Sequence, residues 1–222
     1  MAAAAEWLEG ARPRTLPTAI APVLAGTAIA ITDGGARWGL AALCLVVALG
    51  LVIGVNFAND YSDGVRGSDG EDRVGPLRLV GSGLAEPSHV RVAAFACFAV
   101  SAVAGLVITI MTGHWWFIAV GVVCILAAWF YTGGSHPYGY AGLGEIFVFI
   151  FFGLVAVGGT IYVQTDHVGA AGWVTACLIG ATACGVLTAN NLRDIDGDRV
   201  SGKHTLATLS LIHISRAHET DS

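Results

Sequence analysis

The feature that most constrains this chain is a recurrence of long apolar runs separated by polar stretches. Several approach the ~20 residues that a helix needs to cross ~30 Å of hydrocarbon. Six spans are expected, at 16–32, 38–58, 90–112, 115–131, 144–163 and 171–189. In lipid the backbone must satisfy its own N–H and C=O groups, which leaves helices or a closed barrel. Barrel strands are about ten residues long and alternate in polarity; these runs do neither. The expected fold class is therefore all-α, a multi-pass transmembrane helix bundle. Composition points the same way, with 55% hydrophobic and only 12% charged residues, against ~25% charged in soluble domains. So few charges could not clothe a globular surface in water. The net charge of −5 also argues against a nucleic-acid partner, which calls for a basic face.

Orientation follows from the cations. With the N-terminus inside, Arg12, Arg14, Arg66, Arg73, Arg78, Arg91, Arg193, Arg199 and Lys203 fall on the cytoplasmic side, and Arg37 falls outside. That asymmetry is the positive-inside pattern, and it turns the polar loops 59–89, 132–143 and 190–205 to the cytoplasm. No basic stretch followed by a short apolar run and a small-residue cleavage site stands at the start, so the membrane address is expected in the body of the chain. The five cysteines lie inside apolar runs with no Cys-x-x-Cys spacing and read as small buried hydrophobes. Gly50 and Gly54 form a Gly-x-x-x-Gly pair that suits close helix approach, although glycine is abundant throughout. After Leu209 the chain turns to a polar mixture with no seventh apolar run. Residues 1–209 are expected to form the membrane domain, and 210–222 either a genuine short tail or an unrelated one left by a cloning or sequencing artefact.

The candidate chemistry lies in two loops on one side of the membrane. At the end of the second span, Asn56, Asn59, Asp60 and Asp63 stand at i, i+3, i+4 and i+7, which puts two amides and two carboxylates on one helix face. After the sixth span, Asn190, Asp194 and Asp198 recur at i, i+4 and i+8, with Asn191 beside them. Two such ridges facing each other would repel without a positive charge between them. A hard divalent cation with oxygen ligands meets that need, and Mg²⁺ commonly completes its octahedron with water and substrate phosphates. A diphosphate substrate follows, its remaining oxygens within reach of Arg66, Arg78, Arg193 and Lys203. Gly197-x4-Gly202-Lys203 imitates the start of a phosphate-binding loop. His204 occupies the position where Ser or Thr would be needed, and a membrane span precedes it instead of a strand.

These residues resemble the UbiA-type intramembrane prenyltransferases, and most closely the branch that prenylates 1,4-dihydroxy-2-naphthoate in menaquinone synthesis. The resemblance rests on Asn59-Asp60-x-x-Asp63 followed by Gly67-Ser68-Asp69, on Asp72-Arg73-Val74-Gly75-Pro76-Leu77-Arg78, and on Asn191-Leu192-Arg193-Asp194-x-x-x-Asp198-x-x-x-Gly202-Lys203. Tyr131-Thr132-Gly133-Gly134, Pro137-Tyr138-Gly139-Tyr140 and Gly142-Leu143-Gly144-Glu145 are similar to the family's loop after the fourth span, and Arg12-Pro13-Arg14-Thr15-Leu16-Pro17 agrees. Ser135-His136 departs from the loop's expected start. The resemblance implies a bundle of about nine spanning helices, hence a C-terminally incomplete chain, in a bacterial plasma membrane. It also implies Mg²⁺ held by Asn59, Asp63, Asp69, Asp194 and Asp198 with Asp60 adjacent, and Asp60, Asp63, Asp194 and Asp198 as the catalytic acids. The substrates implied are a polyprenyl diphosphate and an aromatic acceptor that loses CO₂. Tyr61 and Tyr131 would face the allylic cation, Asn56, Asn190 and Asn191 would contact substrate, and Arg12 or Arg14 would bind the acceptor carboxylate. Rival readings are another aromatic acceptor, a CDP-alcohol phosphatidyltransferase and a divalent-cation transporter. Asp63-Gly64 does not continue into the phosphatidyltransferase pattern, and a transporter calls for acids near the middle of its spans.

Overall fold

The structure is a computed structural model, and it describes residues 2–67, 77–135, 137–200 and 202–210. Asp69, Arg73 and the stretch from 211 onward lie outside the described residues. The apolar runs form helices throughout: α1 (Ala4–Gly10), α2 (Pro17–Thr32), α3 (Trp38–Arg66), α4 (Pro87–Thr112), α5 (Phe117–Phe130), α6 (Gly144–Thr165), α7 (Ala170–Arg193) and a short α8 (Ile195–Val200). Prolines open α2 and α4 at the first turn, where a missing N–H costs nothing. Gly113, at φ 74°, closes α4 with the left-handed cap that glycine adopts without penalty.

Four of the six expected spans, α3, α4, α6 and α7, are long and apolar enough to cross a bilayer by themselves. α2 reaches that length only together with the preceding segment Ala4–Thr15, from which it bends by 49°. The stretch expected at 115–131 is shorter, because Trp115 and Trp116 form a turn and α5 keeps 14 residues, about 21 Å of helix. Conversely, α3 runs past 58 to Arg66, so the first acidic motif is helical to its end.

Small residues set the packing. A side-chain carbon on Gly54 would stand 2.5 Å from the Phe98 ring, and one on Gly50 would collide with Ser101; α3 and α4 touch along this stripe, as small-residue interfaces in membranes do. Gly26 of α2 lies against Val157 and Thr160 of α6, and Gly153 of α6 lies against Ala176 and Gly180 of α7. Phe149–Val155 of α6 winds as a π-helix, a local widening that re-aims side chains. Phe57, Leu79, Val90, Ala94 and Phe98 form the largest buried apolar cluster, with Trp7 packed against it. Outward faces of α4, α5 and α7 carry exposed Val103, Ile110, Val122, Leu126, Val174 and Leu178. Apolar exposure on this scale belongs against lipid.

The helices alternate in direction, so one end of the bundle gathers residues 10–15, 59–66, 77–91, 131–145 and 191–205. The opposite end holds Arg37, the His114–Asp166 pair at 2.8 Å and Gln164, which accepts from the Arg37 N–H at 3.1 Å. Between the ends lies a cavity of about 470 Å³ lined by α2 to α6, from Phe117 at the far end to Tyr131 and Tyr138 at the first.

Candidate functional site

The first motif forms the expected face. Asn56, Asn59, Asp60 and Asp63 are all buried on α3. Buried polar groups need partners, and each of these finds a different one. Asn56 donates to the Ala11 carbonyl and the Thr15 hydroxyl, both at 2.9 Å, which binds the N-terminal segment to the bundle. Asn59 accepts from the Thr132 hydroxyl at 2.6 Å. Asp60, 1% exposed, accepts from the Leu79 and Val80 N–H groups at 2.7 and 3.0 Å. Both of its oxygens are thereby engaged in holding the returning loop. Asp63 accepts from Arg78 at 2.9 Å on one oxygen and from the Tyr140 hydroxyl at 2.6 Å on the other.

The second motif departs from a continuous ridge. α7 ends at Arg193 and α8 begins at Ile195, with Asp194 as the joint. The Asp194 N–H still donates to the Asn190 carbonyl, and the Asp198 N–H to the Asp194 carbonyl. Asp194 takes a two-pronged contact from Arg193 at 2.7 and 2.9 Å. Asp198 is buried and lies 3.5 Å from the Lys203 ammonium. Asn191, also buried, donates to Glu145 at 3.1 Å, whereas Asn190 is half-buried.

The motifs meet at Tyr140. Its hydroxyl holds Asp63, its carbonyl accepts from the His204 N–H at 3.1 Å, and its ring lies 5.3 Å from the Arg66 guanidinium and 5.6 Å from the Lys203 ammonium. Arg66 also donates to the carbonyls of Thr132 and Gly134. The four expected phosphate-binding cations thus lie at the acidic end, three of them on a motif acid and Arg66 on the 132–134 loop. Tyr131 lines the cavity at its acidic end, within electrostatic reach of Glu145, Asp198, Asp63 and Arg12. Tyr61 faces elsewhere, stacked on Trp129 at 6.1 Å with Arg91 above its ring at 5.7 Å. Arg14 is exposed, while Arg12 approaches Asp60 and Tyr131 from a left-handed backbone position at φ 56°.

Thr132, Tyr138, Tyr140 and Glu145 join the site although the acid spacing on the helices does not single them out. The signal available for them was the loop 131–145, with its tyrosines and an acid at the edge of a span. Among the described residues no three His, Cys, Asp or Glu side chains come together closely enough to cage a metal ion. The donors present are nevertheless carboxylate and amide oxygens. A carboxylate offers about four lone-pair sites, so Asp63 retains capacity after accepting from Arg78 and Tyr140. Such a set suits a hard cation bound by one or two carboxylates and completed by substrate phosphates.

The chain matches the UbiA prenyltransferase family over residues 19–218. It is 58% identical over 207 residues to a 1,4-dihydroxy-2-naphthoate octaprenyltransferase of Mycobacterium tuberculosis, covering 93% of this chain and 70% of the relative. A protein of the same name in Mycobacterium leprae is 56% identical over 207 residues, with the same coverage of 93% and 70%. The Escherichia coli protein of that name is 40% identical over 223 residues, covering 96% and 71%. With buried acidic motifs gathered at one end of an apolar helix bundle, and likeness of this extent, the chain belongs to the UbiA prenyltransferase family and is a multi-pass membrane enzyme that transfers prenyl groups.

Proposed function

We propose that this protein transfers a polyprenyl group from its diphosphate to 1,4-dihydroxy-2-naphthoate, with loss of CO₂, in menaquinone synthesis and with Mg²⁺ as cofactor. The carrying observation is that Tyr140 joins both acidic motifs, two residues along the chain from Tyr138, which lines one end of an apolar cavity. The substrate assignment is supported by the names of relatives at 58% and 40% identity. The acid-bearing end is assigned to the cytoplasmic face of the bacterial plasma membrane, because Arg12, Arg14, Arg66, Arg78, Arg91, Arg193, Arg199 and Lys203 gather there while Arg37 lies at the other end.

In this reading Asn59 and Asp63 of the first motif and Asp194 and Asp198 of the second offer the metal ligands from their two sides, one or two carboxylates to an ion with the diphosphate completing the shell, and Asp69 is assigned with them. When bound, Mg²⁺ neutralises the diphosphate and makes it a better leaving group. Arg66, Arg78, Arg193 and Lys203 hold phosphate oxygens, a task that guanidinium forks and ammonium charges perform well. The cavity houses the isoprenoid tail, each buried CH₂ contributing ~0.8 kcal/mol, and excludes water that would quench a cation. The C–O bond of the donor breaks with both electrons leaving on the diphosphate. The acceptor carbon that bears the carboxylate then forms the new C–C bond, and the pair released as CO₂ departs restores the aromatic ring. The Tyr131 ring, which lines the cavity at its acidic end, stabilises the allylic cation through its face. Arg12, the inward-facing one of the two N-terminal arginines, anchors the acceptor carboxylate.

The test incubates membranes carrying the protein with polyprenyl diphosphate and dihydroxynaphthoate. Product should form only with divalent metal. Asp63→Ala and Asp194→Ala should each lower turnover by more than the ~10–100-fold typical of losing an outer partner of a ligand. Metal-independent product, or unaltered turnover in both variants, would refute the assignment.

A further inference from the structure

Tyr140 occupies a position that neither the apolar runs nor the acid spacing singles out. It ends the turn Tyr138–Tyr140 between α5 and α6, and three parts of it act in different directions. Its hydroxyl, 2.6 Å from Asp63 Oδ1, fixes the carboxylate that Arg78 grips from the other oxygen at 2.9 Å. A carboxylate held at both oxygens cannot rotate freely, so its remaining lone pairs point in set directions. The Tyr140 ring lies beneath the Lys203 ammonium at 5.6 Å. The same ammonium lies 3.5 Å from Asp198, and the Lys203 N–H donates to the Asp198 carbonyl at 2.8 Å. The Tyr140 carbonyl accepts from the His204 N–H, and the adjacent Ala141 forms an isolated bridge with His204. The hydroxyl therefore serves the first motif, while the ring and backbone seat the loop that carries the second.

We propose that Tyr140 is a positioning residue that sets the separation and orientation of the two acidic motifs before diphosphate arrives. The proposal rests on the reading of the site as a metal–diphosphate centre. It divides the tyrosine into two separable parts: the O–H aims Asp63, and the ring docks Lys203 and, through it, Asp198.

The experiment compares the wild-type full chain, Tyr140→Phe, Tyr140→Leu and Asp63→Ala, each purified in lipid nanodiscs. Binding of Mn²⁺ with inorganic pyrophosphate is followed by calorimetry. Trypsin cleavage after Lys203 is followed in the metal-free protein, and folding is checked by thermal melting. Tyr140→Phe should weaken Mn²⁺–pyrophosphate binding by ~10–100-fold while leaving Lys203 as protected as in the wild type. In turnover it should raise the metal concentration needed for half-maximal rate and leave kcat at saturating metal within a few-fold. Tyr140→Leu should weaken binding at least as much and also expose Lys203 to cleavage. Wild-type affinity in Tyr140→Phe, or an unchanged cleavage rate in Tyr140→Leu, would overturn the proposal. Asp63→Ala separates this failure from failure of the site itself. If that variant loses pyrophosphate binding while Tyr140→Phe retains it, the tyrosine assignment alone is wrong. If Asp63→Ala binds as the wild type does, the metal–diphosphate reading falls and takes the Asp63-aiming half of the proposal with it. The trypsin comparison needs no metal, so it decides the docking half in either case.

Discussion

Asp60 and Asp63 share a helix face three residues apart, yet their surroundings give them different work. Asp60 has both oxygens on the backbone N–H groups of Leu79 and Val80 and is sealed from solvent. Asp63 is held by two side chains, Arg78 and Tyr140, at the end where the second motif approaches. Asp60→Asn turns an amide N–H₂ toward one of the loop N–H groups and should destabilise the fold by ~2 kcal/mol, the order of a hydrogen bond to a charged group. Thermal unfolding in detergent would register this, while Mn²⁺–pyrophosphate affinity should fall far less than in Asp63→Ala. Equal losses of affinity without a change in stability would make Asp60 a ligand instead of a clamp. The pairing of residues to partners was not legible in the sequence. Helical spacing tells that Asn56, Asn59, Asp60 and Asp63 project together; it does not tell that Asn56 reaches Ala11 and Thr15 or that Tyr61, one residue past Asp60, stacks against Trp129.

At the scale of elements, glycine decides how closely the helices approach. Gly54 leaves no room for a side chain against Phe98, and Gly50 none against Ser101. Gly54→Val should force α3 and α4 apart and cost about 1–3 kcal/mol, as overpacking does, seen as a lowered melting temperature. An unchanged melting temperature would mean that the stripe is not a tight interface. The Gly-x-x-x-Gly spacing was visible in the sequence, but choosing it over ordinary glycine abundance required the position of α4. The π-helical turn at Phe149–Val155 was not visible at all. A run such as Phe147 to Val155 is apolar in every direction, so no periodicity marks where the winding widens, and only packing of Gly153 onto Ala176 and Gly180 locates it.

At the scale of the molecule, the cavity runs beside α5 from Phe117 to Tyr131, about 21 Å at 1.5 Å per residue. His114, Trp116 and Tyr162 cluster around Phe117 at its far end. Gly159 lines the cavity, and a side-chain carbon there would meet nothing within 4 Å. Gly159→Leu should therefore fold at least as well as the wild type, since a helical glycine costs ~0.5–1 kcal/mol, while lowering transfer from long polyprenyl donors by ~10-fold or more relative to short ones. Equal rates with both donors would remove the cavity from the tail's path. The sequence by itself determined the helical class, the membrane setting, the two acidic motifs and the common end at which they emerge. Each of these follows from local patterns: the length of an apolar run, a repeat of three and four residues, and a bias of charge between loops. The tertiary structure alone decided that both Asp60 oxygens meet the Leu79 and Val80 N–H groups, that α5 is short and α6 partly π-helical, and that Asp63 meets Tyr140 across 77 positions of sequence. Such contacts depend on how whole helices pack, and no local spacing encodes which distant side chain will arrive.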